Sequence, residues 1–172
     1  MIERVRDHPE ILAAPALAKV KVPIALLDAN ADDRHLLAVR EIQHQASANL
    51  SRGVGQFESV LAAVGLGGGA PSSIRRVLLF AQQARHVIAH RGGRVDDRFL
   101  SACPEDGFEL GERVLLNHDH FALIRTAMIG YVALLADRSR VANGESAMDD
   151  PNYWEQRLAP RVHAVLNRQT GT

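Results

Sequence analysis

"SSIRRVLLFAQQARHVIAHRGG", residues 72–93, is the stretch from which the fold can be read. Ile74, Leu78, Ala81, Arg85 and Ile88 recur at spacings of three and four, the period of one helical face, with Val77 and Ala84 beside them. Pro71 with Ser72 or Ser73 opens this helix and Gly92-Gly93 stops it, so the spacing predicts a helix from about Ser72 to His90 or Arg91. One residue sits oddly on the stripe. Arg85 lies among Leu78, Ala81 and Ile88, and a guanidinium aimed at an apolar face requires a carboxylate, a partner subunit or an anionic ligand, because burying an unpaired charge is costly.

Upstream, Asp32 or Asp33 can cap a long helix running to about Val64. Its stripe is Leu36, Val39, Ile42, Ala46, Leu50, Val54, Phe57, Val60 (or Leu61) and Val64. Gly53 and Gly55 predict a kink or break in it. "GLGGGAPSS" at 65–73 is a linker between helices; a phosphate loop would need a preceding strand and a following GK[ST], and it has neither. Residues 1–29, with Pro9, Pro15 and Pro23, read as an irregular lead-in of short helical turns.

Downstream of Gly93 a loop carries Asp96, Asp97 and Phe99. Asp106-Gly107 then predicts a turn, and alternating segments near 108–110 and 113–116 predict a small β-hairpin. Asn117 or Asp119 can cap a third long helix, about 119–139, with Phe121, Ile124, Met128, Tyr131 and Leu135 as its stripe and Leu134 on the flank. "ANGESAMDDPN" is a polar loop, and a last helix covers about 152–167, interrupted or bent at Pro160. The expected fold is a single all-α domain, a helical bundle with long antiparallel helices. Residues 1–29 form its lead-in, 30–140 its core, and 141–172 a loop and closing helix.

Composition agrees with that class. The 172 residues suffice for one domain with a core, and with 47% hydrophobic but only 5% aromatic residues that core must be built from Leu, Val, Ile and Ala. Formal net charge is zero, which excludes a global attraction to nucleic acid or anionic membrane and leaves only local patches. Lys19 and Lys21 are the only lysines, so the basic chemistry is arginine chemistry. Cys103 is the single cysteine, so there is no internal disulfide, as fits a reducing compartment. The N-terminus lacks the continuous apolar centre of a signal peptide, and no apolar run approaches the roughly 20 residues that span a bilayer. The expectation is a soluble, cytoplasmic protein.

A local patch does exist. Arg75, Arg76, Arg85, Arg91, Arg94 and Arg98 face only Asp96 and Asp97 between 75 and 98, six charges against two, a net of four positive. Arginine forks grip phosphate oxygens in pairs, so Arg76, Arg91 and Arg94 are candidate phosphate or RNA contacts. Cations in a last helical turn also complement the helix dipole without any ligand. His90, in that turn, can titrate near neutral pH and carry protons. Arg85 and His90 are five residues apart, about 140° round an ideal helix, and do not share a face. Either the helix ends early and His90 swings round, or residues of two chains meet in one cleft across a two-fold axis.

Arg85, a polar residue at His86, three intervening residues and His90 match the R-[polar]-x3-H pattern, and this stretch resembles the HEPN superfamily. The following "HRGGRVDDRF" is similar to a continuation in many bacterial members: a histidine, a glycine pair, an acidic residue and an aromatic. The resemblance covers about residues 30–140. It implies a helical bundle that commonly forms a homodimer, with Arg and His at the dimer cleft. Many such proteins are metal-independent ribonucleases of toxin–antitoxin, phage-defence or RNA-processing systems, toxins being held by an antitoxin protein. Others are non-catalytic modules that bind nucleotides or proteins. Carried over, Arg85 would hold the scissile phosphate and His90 would act as general acid or base. His86 stands where asparagine or aspartate is more usual and would orient the phosphate or share the proton work. No cofactor is implied.

A metal site is the sharpest rival. His86 and His90 are four apart on one helical face, and His118 and His120, flanking Asp119, could complete a ligand set. A metal, however, has no use for the surrounding arginines, and His118 and His120 also read as a solvated helix start. His8, His35, His44 and His163 are scattered. Tyr153 and Trp154 could stack on a base, but packing of the last helix is the simpler use.

Overall fold

Residues Ser72–His90 form one uninterrupted helix, α2, as their punctuation predicts. The computed structural model describes residues 6–13, 30, 33–34, 36–37, 39–41, 53–147, 150 and 152–167. These are mostly helical, with no strand among them, and the packed helices make a bundle. The face that α2 buries differs from the expected one. Ile74, Val77, Phe80, Ala84 and Val87 turn inward together with Ser73 and Gln83, a stripe roughly 100° round the helix from Leu78, Ala81, Arg85 and Ile88. Arg85 is exposed and Ile88 is 47% exposed. The helix carries apolar residues on two flanks, and the bundle covers the one that holds Phe80 and no charge. The premise of a guanidinium directed into the core is therefore overturned.

Among the other described helices, α1 spans Gly55–Ala63, α3 Asp97–Ala102, α4 His118–Ala142 and α5 Tyr153–Leu166. Residues Ala70–Val141 and Glu145–Thr172 make one compact unit, in which α2 packs against α5 and α3. Trp154, Leu158, Val162 and Leu166 recur every four residues and give α5 its buried face. Pro160 lies inside this helix without ending it; it is exposed, so the carbonyl left without its amide donor can be reached by water. Trp154 is 8% exposed, in keeping with a packing use.

Helix α4 begins where Asn117 caps it, its Oδ1 accepting the His120 amide at 3.0 Å. It has the length and composition of a membrane-spanning helix, with a mean hydropathy of 1.3, yet buries Leu123, Ala127 and Gly130 within its unit. Gly130 is a point of close approach between three helices. A Cβ there would lie 2.7 Å from the Trp154 ring and 3.2 Å from Ile74 Cδ1. A fused ring wedged between helices cannot swing aside, so Gly130→Ala is expected to cost about 1–3 kcal/mol by overpacking, seen as a lower midpoint in denaturant with unchanged slope.

The start of α2 has no cap of its own, because Pro71 precedes it. Glu155 of α5 supplies one: its Oε1 accepts from Ser72 Oγ at 2.7 Å, and its Oε2 from Ser73 N at 3.0 Å and Ser73 Oγ at 2.9 Å. Burial pushes this carboxyl up, but the Ser73 amide, the two hydroxyls and the Arg75 charge outweigh it, so the Glu155 pKa falls below its ordinary 4.5. A depressed carboxyl contributes stability above its unfolded pKa and loses it as pH falls through the folded one. Glu155→Ala is expected to cost about 1–3 kcal/mol at pH 7, and the gap in melting temperature to close below about pH 4.5, measured by circular dichroism.

The segment 94–116 departs from expectation. Asp96–Asp97 opens a short helix, α3, rather than a loop: the Asp96 carboxylate accepts the Phe99 amide at 2.9 Å and buries Phe99. Phe99 meets Phe80 and Phe108 edge to face, with centroids 6.1 and 5.2 Å apart. The small hairpin is not formed. Gly107 (φ +66°) closes the 3-10 turn Pro104–Asp106, and the later segment pairs instead with 93–95 in an isolated bridge. Val95 N donates to Glu112 O, Gly111 N to Val95 O and Val114 N to Gly93 O, all at 2.8–2.9 Å.

The second unit is Met1–Gly69 with Ala142–Gly144. Backbone at 33–34, 36–37 and 39–41 is helical, and Gly53 (φ +62°) precedes the separate start of α1, so the break expected at the two glycines is present. Val39 and Val64 are buried together with Ile11 and Leu66 against them. Phe57, placed on the stripe, is 62% exposed. The prolines at 15 and 23, and Ile42, Ala46 and Leu50, lie outside the described residues.

Candidate functional site

Helix α2 stays regular to its end, and Arg91 N still donates to Val87 O at 2.9 Å. His90 therefore does not swing toward Arg85, and the two remain about 140° apart within one chain. His86 and His90, one turn apart, do share a face, their rings tilted with centroids 5.2 Å apart. His86 is partly covered and His90 exposed.

The glycine pair then reverses the chain. Gly92 and Gly93 both adopt left-handed backbone, φ +60° and +76°, and Gly93 N donates to Val87 O at 2.9 Å, closing the last turn. Val95 is held on both sides by the backbone of Gly111 and Glu112. The next residue, Asp96, thus returns alongside the helix it left. One of its oxygens, Oδ1, caps α3; the other, Oδ2, lies 4.0 Å from His86 Nε2 and 3.5 Å from Arg91 Nε. The resulting cluster is His86, His90, Arg91 and Asp96.

Of the arginines expected to bind phosphate, Arg91 is in this cluster. Arg94 lies nearby but binds its own scaffold: its backbone makes the bridge to Arg113 and its Nη1 donates to Gly111 O at 2.9 Å. Arg76 is elsewhere. Fourteen residues before His90, it sits roughly 21 Å down the helix. Its guanidinium reaches Asp106 Oδ1 at 2.7 Å, Glu105 Oε2 at 3.1 Å and Asn167 Oδ1. It serves the fold, because Asp106 is 1% exposed and needs an opposite charge. The Arg85 and Arg98 side chains are exposed and make no ion pair or hydrogen bond with a described residue. Both are free to meet a ligand.

Burial pushes the Asp106 carboxyl above its ordinary 3.8 despite Arg76. Burial, then the Asp106 charge and hydrogen bond, push the neighbouring Cys103 thiol from 9.0 to about 12. That thiol is inert in the folded protein. His120 belongs to the core rim: it stacks on Phe80 at 5.7 Å, binds Asn117, and burial lowers its pKa against the pull of Asp119 and Asp106. Among the described residues no three histidine, cysteine, aspartate or glutamate side chains are grouped to hold a metal ion.

Asp96 is the site member that sequence reasoning placed in a loop. The available signal was local: an Asp-Asp pair three residues before an aromatic is a helix start, and a glycine reversal just ahead of it brings that start back to α2. No protein-family model, curated protein or solved structure matches this chain.

Proposed function

We propose that this chain is a metal-independent endoribonuclease that works as a homodimer, with the HEPN-like motif Arg85–His86–x3–His90 at its active centre. The observation that carries the reading is the pair of imidazoles 5.2 Å apart at the end of a helix that also carries the exposed Arg85. One imidazole takes the proton of a ribose 2′-OH as its oxygen attacks phosphorus, and a second acid protonates the departing 5′-oxygen. The charge that builds on the phosphoryl oxygens needs a guanidinium. Arg85 of the same chain diverges from His90 by about 140°, so a two-fold partner is the natural source of that guanidinium.

The test is cleavage of a labelled single-stranded RNA by wild type, Arg85→Ala and His90→Ala, each in excess chelator. Wild-type cleavage is expected to persist, and each variant to lose about 10²–10⁴-fold in kcat/KM. Loss of wild-type cleavage on chelation would replace this reading with metal chemistry. Binding of RNA or nucleotide without turnover would leave a non-catalytic binding module.

A further inference from the structure

We propose that the outer face of α4, with the edge of α5 beside it, is a docking surface for an amphipathic helix of a partner protein, one whose apolar stripe is flanked by carboxylates. This face owes nothing to the ribonuclease reading. Phe121, Met128, Ile129 and Val132 are each 56–64% exposed. With Arg125 and Ala136, also exposed, they lie within about 100° of one side of the helix. The buried stripe, Leu123, Ala127 and Gly130, is on the opposite side. Helix α4 thus carries two apolar stripes and covers one of them, which is why it has the length and hydropathy of a membrane-spanning helix. A stripe about 100° wide and, from 121 to 136, roughly 22 Å long is what a helix buries against another helix. An exposed apolar patch of that continuity marks an interaction surface.

The charges around the strip select its occupant. Arg125 lies within it. Arg161 of α5 reaches across to α4, its Nη1 3.5 Å from Thr126 Oγ1. Arg157, one turn earlier, lies 5.9 Å from the centre of the Tyr153 ring and donates to its hydroxyl at 3.0 Å. All three arginines are exposed, and none meets a carboxylate of a described residue. The carboxylate of α5, Glu155, is spent on Ser72 and Ser73. Those of α4, Asp119 and Asp137, lie about 130° round from the middle of the strip. Three cations along an apolar strip, with no carboxylate among them, complement an acidic amphipathic helix, which brings both the apolar cover and the missing charge. A second copy fits worse, because pairing strip with strip doubles the arginines and adds no carboxylate. A bilayer fits worse too: with Arg125 in mid-strip, inserting Phe121 and Met128 would carry a guanidinium toward hydrocarbon.

The experiment uses the full chain and two fluorescein-labelled peptides of about 18 residues, long enough to cover the strip as a helix. Both carry leucine at alternating spacings of three and four; one has glutamate on the flanks, its twin lysine. Fluorescence anisotropy should show the glutamate peptide binding about tenfold or more tightly than its twin. Met128→Glu should weaken that binding about tenfold or more. The double variant Arg125→Glu, Arg161→Glu should reverse the preference, so that the lysine peptide binds better. Its changes are at exposed positions, and an unchanged melting curve checks its fold. Binding of neither peptide, or equal binding of both, overturns the proposal. So does co-sedimentation of wild type, and not of Met128→Glu, with phosphatidylglycerol vesicles, which would make the occupant a lipid surface. A fall from dimer to monomer in Met128→Glu would make it a second copy. If Met128→Glu unfolds while the double arginine variant does not, the strip belongs to the chain's own core and the proposal falls.

Discussion

Equal amounts of Arg85→Ala and His90→Ala protein, each nearly inactive alone, are expected to recover about a quarter of wild-type cleavage when unfolded and refolded together. The reason is geometric. Helix α2 holds its period through His90, so Arg85 and His90 of one chain look in directions about 140° apart. If each centre takes its arginine from one chain and its histidines from the other, a mixed dimer contains one doubly damaged centre and one intact centre. Random reassortment makes half of the dimers mixed, with one good centre in two. Recovery would be absent if both residues acted within a chain, because every chain carries one lesion. The measurement is initial rate against mixing ratio, which should peak at equal amounts; a flat line at the level of the single variants would remove the composite centre.

Arg76→Ala is expected to cost about 3–5 kcal/mol, a large fraction of what holds a domain of this size together. It strands Asp106, 1% exposed, without its positive partner. Asp106→Ala should cost less, since Arg76 is partly exposed and keeps Glu105 at 3.1 Å. The two variants also differ with pH. Burial already raises the Asp106 pKa, and removing Arg76 raises it further. A carboxyl whose folded pKa lies above its unfolded value binds its proton more tightly when folded, so stability rises as pH falls through that folded pKa. The deficit of Arg76→Ala should therefore shrink as pH falls from neutral into the acid range, and that of Asp106→Ala should not. Cys103 supplies the readout. With its thiol pushed up to about 12 and buried, it should react with a thiol reagent only through unfolding, and Arg76→Ala should speed that reaction by about 10²-fold or more.

What could be read from the sequence is what local chemistry decides. Pro71-Ser72 and Gly92-Gly93 bound α2 because proline, serine and glycine act on their own backbone, and Gly53 marks the break before α1 for the same reason. Which face of α2 is buried could not be read. Leu78, Ala81 and Ile88 make a stripe as regular as Ile74, Val77, Ala84 and Val87, and only packing against α5 and α3 chooses between them. Helix α3 is six residues long, too short to show a period. Of the candidate site, His86 and His90 were visible as neighbours by spacing alone. Asp96 was not, since its place depends on a reversal and a backbone bridge to 111–112. The structural partners of Arg76 could not be read either, because they stand 30 and 91 residues further along the chain.

The cap that Glu155 places on α2 has a consequence for the order in which the protein is made. The serines at the start of α2 wait for a side chain 82 or 83 residues later, and Arg76 waits for Asn167. A nascent chain emerging from the ribosome has the whole of α2, with both histidines, long before it has either partner. Contacts of such sequence separation form late, after the intervening loop has been closed. The helix that bears the candidate chemistry is therefore among the last elements to become rigid, so the candidate site matures only when synthesis has passed residue 167.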